Sequence, residues 1–287
     1  MISINNFING EFVPPNSNQY LDVYEPATGL IYSNVADSNS NDIENAYQSA
    51  QSAFKYWSGI SVEERAGYLN KIADGIESRL DEFAEYESRD TGKPISLAKS
   101  IDIPRAVSNF RFFAEFGLAF QFESELNSDQ SQNKLIRSPL GVVGCISPWN
   151  LPIYLFTWKI APALIAGNTV VAKPSEITPY TAFKLSEICR DAGFPVGVLN
   201  IIHGQGSTAG DALVGHRGIK AISFTGGTAT GKLITKKTAS SFKKLSLEMG
   251  GKNPAVIFAD CDYDNMLETM VRSSFSNQGQ ICLCSSR

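Results

Sequence analysis

No stretch of this sequence is both apolar and unbroken. The most apolar region, Leu151 to Ala172, is interrupted by Pro152, Lys159, Pro162 and Asn168, which favours buried soluble structure over a membrane span. Met1 to Gly10 has neither a cationic start nor a long apolar run, so no secretory signal is expected and a cytoplasmic protein is the simplest reading. Cysteine is scarce and poorly spaced. Cys145, Cys189, Cys261, Cys282 and Cys284 are odd in number and none stand in C-x-x-C register, which argues against a disulfide framework and against a zinc site, so reduced thiols and no metal are expected. Basic charge is not concentrated anywhere: 25 Lys and Arg against 29 Asp and Glu give a net charge of -4 with no cationic stripe, and nucleic-acid binding gets no support. Internal repeats and low-complexity tracts are lacking as well.

What remains is the balance of a globular chain. Hydrophobic residues make up 43% and charged residues 19% of 287 positions, enough for a sizeable core and for two units. Ile43, Ala46, Ala50, Ala53, Phe54 and Trp57 recur at three- and four-residue steps and predict a helix over 42–57. Ser61 followed by Glu64 predicts a capping box, with Leu69, Ile72, Ile76 and Leu80 continuing the apolar face of a second helix. A third helix is expected from Asp81 to Gly92, ahead of Pro94, and a fourth from Pro104 through Phe116, making the first third mainly helical. The polar tract Glu123 to Gln132, with Ser124, Asn127, Ser128, Asp129 and Ser131, predicts an exposed loop or hairpin. Beyond it, short apolar runs at 142–146, 169–172, 198–202, 221–224 and 245–247 alternate with helix-length segments. That alternation predicts an α/β fold, a parallel sheet with helical crossovers, whose chemistry sits just after each strand.

Each of those strand ends carries an unusual residue. Asn150, in Ser147-Pro148-Trp149-Asn150, can donate an amide hydrogen bond to a developing oxyanion, although asparagine after a strand is ordinarily turn chemistry. Lys173 and Glu176 place an ammonium and a carboxylate where they could hold a ribose, or simply offset a helix dipole. Gly204, Gly206 and Gly210 miss the G-x-G-x-x-G spacing, a weak signal. Phe224 to Lys232 carries glycines through which backbone amides could approach a pyrophosphate at a helix start. The same segment fits G-x-x-x-x-G-K, but Leu233 occupies the position of the Mg²⁺-binding hydroxyl, so a P-loop is disfavoured even though Ala255 to Asp260 imitates an apolar strand ending in Asp. Glu248 and Cys282 offer a water-activating carboxylate and a soft nucleophile for a carbonyl carbon; either alone reads as a solvated glutamate or an inert cysteine.

Taken in order, P-W-N at 148–150, K-P-S-E at 173–176, F-T-G-G-T at 224–228, E-M-G-G-K at 248–252 and G-Q-I-C at 279–282 resemble the aldehyde dehydrogenase superfamily, a likeness that reaches Phe7 to Gly10 and Glu25 to Gly29 and so covers essentially the whole chain. The resemblance implies a Rossmann-like parallel sheet with flanking helices. It implies Cys282 as nucleophile, Asn150 with the Cys282 amide as oxyanion donors, Glu248 as general base, and no required role for Cys284. It places NAD against Ser147, Trp149, Lys173, Glu176 and Gly206, and against Thr225, Gly226, Gly227, Thr228, Gly231 and Gly250. The expected division is a cofactor-binding domain of residues 1–122 and 139–250, a bridging or oligomerisation hairpin at 123–138, and the start of an incomplete catalytic domain at 251–287.

Asp102 to Arg105, Asn109 to Ala114 and Gln280 to Cys284 look like the muconic-semialdehyde subgroup, the 2-aminomuconic and 2-hydroxymuconic semialdehyde dehydrogenases, with betaine-aldehyde or other aliphatic aldehydes as alternative substrates. Arg105 is then the expected substrate-carboxylate ligand; its bland alternative is a solvated arginine or one paired with Asp102. Members of the family run well past 287 residues, so the chain is expected to be a first part, its parent a homodimer or homotetramer, and the isolated polypeptide an inactive, aggregation-prone NAD-binding fragment.

Overall fold

The computed structural model describes residues 2–128 and 130–287, and within them the chain opens with short strands rather than helices. These are β1 (Ile2–Ile4), β2 (Asn6–Ile8), β3 (Glu11–Val13), β4 (Tyr20–Glu25) and β5 (Leu30–Ala36). β1, β5 and β4 form a three-stranded sheet of their own, whereas β2 and β3 make a hairpin across Asn9 and Gly10, both at positive φ, and join the main sheet. Helix still predominates over the first third, but the five strands that precede it were not anticipated. Three-residue strands are too short for a period of two to register in the sequence.

The helices follow their local signals. α1 (Ser40–Gly59) is capped reciprocally by Asn39 and Asp42, and α2 (Val62–Ser78) by Ser61 and Glu64. α3 (Leu80–Thr91) stops at Gly92, whose φ of 73° suits a residue without Cβ. α4 (Ile95–Leu97) then runs through a π-helical turn, Ala98–Asp102, into α5 (Ile103–Ala119), so this helical stretch starts well before Pro104. Pro104 has no N–H for the preceding turn, and the irregular ladder falls just ahead of it. β6 (Glu123–Ser128) and β7 (Ser131–Ile136) pair as an almost wholly exposed antiparallel hairpin; Asp129, from the polar tract, lies outside the described residues.

The α/β part is β8 (Val142–Ile146), α6 (Pro152–Ile165), β9 (Thr169–Lys173), α7 (Tyr180–Asp191), β10 (Leu199–Ile201), α8 (Asp211–Gly215), β11 (Ala221–Gly226), α9 (Thr228–Thr238) and β12 (Lys244–Met249). The main sheet has the order β12-β11-β8-β9-β10-β2-β3, parallel from β12 to β10 and antiparallel at the β2-β3 edge. Alternate residues of a strand face opposite sides, and the sheet packs accordingly. Val143, Cys145, Val170, Ala172 and Leu199 meet Leu69, Phe110, Phe156 and Leu185 of α2, α5, α6 and α7. Val142, Val171 and Ile222 meet Ile43, Leu213 and Ile234 of α1, α8 and α9. Strand order reverses between β8 and β11, the position where sheets of this kind leave a crevice beyond their carboxyl ends. The last segment holds α10 (Tyr263–Phe275), while Ala255 to Asp260 forms no strand and is mostly exposed, which removes the strand-like element of the P-loop alternative.

Candidate active site

A cleft of about 680 Å³ opens at those carboxyl ends, within the range of small-molecule sites. Ser147 and Trp149 come to it from β8, Lys173 and Glu176 from β9, Gly206 from the turn after β10, and Thr225, Gly226 and Gly227 from β11. Lys173 Nζ donates to Glu176 Oε2 at 2.9 Å, and the Gly206 N–H donates to Glu176 Oε1 at 3.4 Å. Burial lowers the Lys173 ammonium, with Glu176 opposing. Burial would raise the Glu176 carboxyl, but Lys173 and the Gly206 N–H together hold it below the usual carboxylate range. Ser147 Oγ is buried against the cleft with no hydrogen-bond partner among the described residues. Gly227 precedes α9 without a side-chain cap, and a Cβ there would meet nothing within 4 Å, leaving the helix N-terminus open to an anion.

Three of the expected cofactor residues do not line this cleft. Thr228 and Gly231 border a separate groove toward β12, where a Cβ on Gly231 would come within 2.5 Å of Met249 Sδ, so this glycine serves helix-to-strand packing. Gly250 follows β12 in the open. Lys232, which a P-loop would send to the phosphates, is exposed on that same outer groove. Conversely, Asp211 and Lys237, ion-paired to each other, line the cleft and were not anticipated. Both are helical surface residues whose sequence neighbourhood carries no motif.

Beside the cleft, Asn150 Nδ2 donates to the Gln280 carbonyl at 2.6 Å, and Asn277 Nδ2 donates back to the Asn150 carbonyl at 3.0 Å. The end of β8 and the loop carrying Cys282 are thereby joined. Asn253, just past the E-M-G-G-K stretch, holds that loop from the other side by donating to the carbonyls of Cys282 (2.7 Å) and Cys284 (3.0 Å). The two thiols differ: Cys284 Sγ is directed at the Ser276 carbonyl, 3.7 Å away, whereas Cys282 Sγ has no hydrogen-bond partner among the described residues. Glu248 stands exposed at the end of β12, opposite Thr225 in the register, and is not hydrogen-bonded to Asn150 or Cys282. Its charge reaches Lys159, whose ammonium is lowered chiefly by burial.

Arg105 is exposed with its guanidinium carbon 5.8 Å from the centre of the Tyr154 ring, one helical turn beyond Asn150. The alternative pairing with Asp102 does not occur: Asp102 is buried and takes Lys93 Nζ at 2.8 Å, while Arg105 faces outward.

The model of the aldehyde dehydrogenase family matches residues 12–287. The 2-aminomuconic semialdehyde dehydrogenase of Danio rerio is 53% identical over 285 residues, 99% of this chain and 58% of that protein. The 2-hydroxymuconic semialdehyde dehydrogenase of Pseudomonas sp. (strain CF600) is 46% identical over 293 residues, 100% of this chain and 60% of that protein. Among solved structures, the NAD+ complex of an aldehyde dehydrogenase from Bacillus cereus superposes with a TM-score of 0.96 at 37% identity, covering 99% of this chain and 58% of that one. The chain thus spans less than two thirds of the length of these relatives.

Proposed function

The chain belongs to the aldehyde dehydrogenase family, and from that premise we propose that it supplies the cofactor cleft, the nucleophile and the oxyanion donor for oxidation of a muconic-type semialdehyde to its carboxylic acid, with NAD as acceptor. The observation that carries this reading is the hydrogen bond from Asn150 to the Gln280 carbonyl, which sets the amide beside the Cys282 loop, one residue on from Trp149 in the cleft lining.

The cleft suits a dinucleotide. The unpartnered Ser147 hydroxyl, the open Gly227 and the uncapped start of α9 offer donors to its phosphates, and Glu176 accepts ribose hydroxyls. When bound, NAD supplies the hydride acceptor. Cys282 thiolate attacks the aldehyde carbon, giving a tetrahedral thiohemiacetal whose oxyanion is held by the Asn150 carboxamide and the Cys282 N–H. After oxidation to the thioester, Glu248 takes a proton from water, which attacks the acyl carbon and expels Cys282 as thiolate. Arg105, near Tyr154 and free of any carboxylate partner among the described residues, binds the far carboxylate of the semialdehyde. Residues 1–122 with 139–250 act as the cofactor unit, 251–287 belongs to the catalytic unit, and the solvated hairpin at 123–138 serves contact with another copy.

The test is a fusion that completes this chain with the part of the Danio rerio relative it does not cover, assayed by NADH absorbance. Cys282→Ala should abolish oxidation and Cys284→Ala should leave most of it; comparable losses would overturn the nucleophile. Arg105→Ala should raise KM on the order of ten to a hundredfold for a carboxylated semialdehyde and leave an uncharged aldehyde of similar length unaffected. Equal loss on both would give Arg105 to the fold, and a preference for uncharged aliphatic aldehydes would refute the substrate class.

A further inference from the structure

Three ionisable side chains of the α3 C-terminal region, Glu87, Asp90 and Lys93, are each at most 1% exposed, and all three lead to helix starts or loops at the site end of the sheet. Asp90 accepts the Tyr180 N–H at the start of α7, and Glu87 accepts the Ile153 N–H at the start of α6 and the Thr181 hydroxyl. Lys93 Nζ donates to Asp102 Oδ2 at 2.8 Å and reaches the main-chain carbonyl of Asn150 at 3.5 Å. Burying such a pair is poor economy for stability alone, since an apolar pair of the same volume usually does as well. Burial raises the Glu87 carboxyl, with the Lys93 charge opposing, and it is Asp102 that Lys93 Nζ meets in a direct hydrogen bond.

What this ammonium touches is the peptide that carries the oxyanion amide. A carboxamide NH₂ has two hydrogens; the Gln280 carbonyl takes one, and the direction of the other is then fixed by where the Asn150 backbone sits. That backbone is held at its carbonyl by Asn277 and Lys93. Asn277, itself buried, stands at φ 49° in a loop whose neighbour Gln278 is also left-handed, within a last segment that is otherwise mostly exposed. Lys93 comes from the buried body and does not depend on that segment. We propose that Lys93, anchored by Asp102, is a positioning residue that fixes the Asn150 peptide so that its carboxamide presents the second N–H to the oxyanion. This rests on Asn150 being the oxyanion donor, as argued above.

The test uses the fusion and Lys93→Met/Asp102→Asn, which removes both charges together and avoids stranding one. It should keep the parent's melting temperature and its Kd for NAD, while the rate of the first NADH burst falls on the order of ten to a hundredfold, the loss expected when a donor is displaced but not deleted. In an Asn150→Ala background the same pair of changes should cost less than about twofold further, since no amide remains to be aimed. A wild-type burst in the double variant, or a full additional loss in the Asn150→Ala background, overturns the proposal and leaves Lys93 as charge compensation or scaffold. Side-chain amide NMR of asparagine-labelled protein gives a readout independent of turnover. The Asn150 NH₂ signal, identified by its absence in Asn150→Ala, should shift and exchange faster in the double variant, and an unchanged signal also overturns the proposal. If that signal moves as expected but the unmodified fusion oxidises no aldehyde, the enzymatic reading fails while the placement of Asn150 by Lys93 stands.

Discussion

Helices α2 and α10 carry the same kind of pattern and meet opposite fates. In α2, Leu69, Ile72 and Ile76 recur along one face and are fully buried between α5, α6 and α7. In α10, Leu267, Val271 and Phe275 recur at four-residue steps, yet they are 49%, 54% and 71% exposed and no residue of the helix is buried. The contrast extends to the regions around them, since Val256, Ile257, Phe258 and Leu283 are also exposed. An amphipathic period specifies that a face is to be covered, and says nothing of what covers it. The cofactor side of this molecule covers its own faces, whereas the segment carrying Cys282 has apolar surface unpartnered among the described residues.

The largest expected effect is on thiol chemistry. Cys145 and Cys189 are buried, and burial pushes both thiols up to about 12, while Cys261, Cys282 and Cys284 lie wholly or partly exposed. Burial therefore disfavours the reactive thiolate at Cys145 and Cys189 before steric protection is counted. A disulfide reagent should therefore modify three thiols of the folded 287-residue chain rapidly and all five only in denaturant. Rapid reaction at Cys145 or Cys189 would mean that the body is no better packed than the last segment.

Next in size is the cost of removing an aromatic ring. Phe83→Ala in the core should destabilise by about 3–5 kcal/mol in urea unfolding, and Phe275→Ala by no more than about 0.5 kcal/mol. In the fusion, where α10 would acquire a partner, the Phe275 cost should grow toward the core value. If Phe275→Ala already costs as much as Phe83→Ala in the shorter chain, the two regions do not differ in the way their exposure indicates.

The same division explains what could be read from residues alone. The cap at Ser61, the stop at Gly92 and the strands from Val142 to Leu247 were legible because each signal lies within a few neighbouring residues. The strands at the N-terminus were not. β2 belongs to the main sheet because Phe7 pairs with Ile201, a contact almost two hundred residues apart that no local period encodes, although Asn9-Gly10 is an ordinary hairpin turn pair. In the site, the strand-end rule led to Asn150, Lys173, Glu176 and the Gly226-Gly227 turn. It did not lead to Lys93, whose sequence setting, Gly92-Lys93-Pro94, reads as the end of a helix and whose approach to Asn150 spans 57 residues. Asp102 looked available to Arg105 three positions on, until the fold turned one inward and the other out.

The smallest expected effect tests whether the cofactor side is finished without the last segment. Every residue lining the cleft lies between Ile146 and Lys237, so the 287-residue chain should bind NAD even if it turns nothing over. Within the cleft, Glu176 is the group expected to tell NAD from NADP. Lys173 and the Gly206 N–H keep its carboxyl below the usual range, so it is ionised throughout neutral pH and loses its charge only in more acidic solution than an ordinary glutamate. A ribose 2′-hydroxyl donates to that carboxylate, whereas a 2′-phosphate would bring like charges together. Lys173 does not reverse the preference, because its ammonium is already directed to Glu176 and to the Pro174 carbonyl. Glu176→Gln keeps the shape and removes the charge, so Kd for NAD should weaken modestly and the NAD-over-NADP ratio should fall on the order of tenfold, about 1.4 kcal/mol. Calorimetric titration of both nucleotides into the parent chain and the variant measures this directly. An unchanged ratio would remove Glu176 from the 2′ position, and binding by the fusion but not by the 287-residue chain would show that the cleft needs the region beyond it.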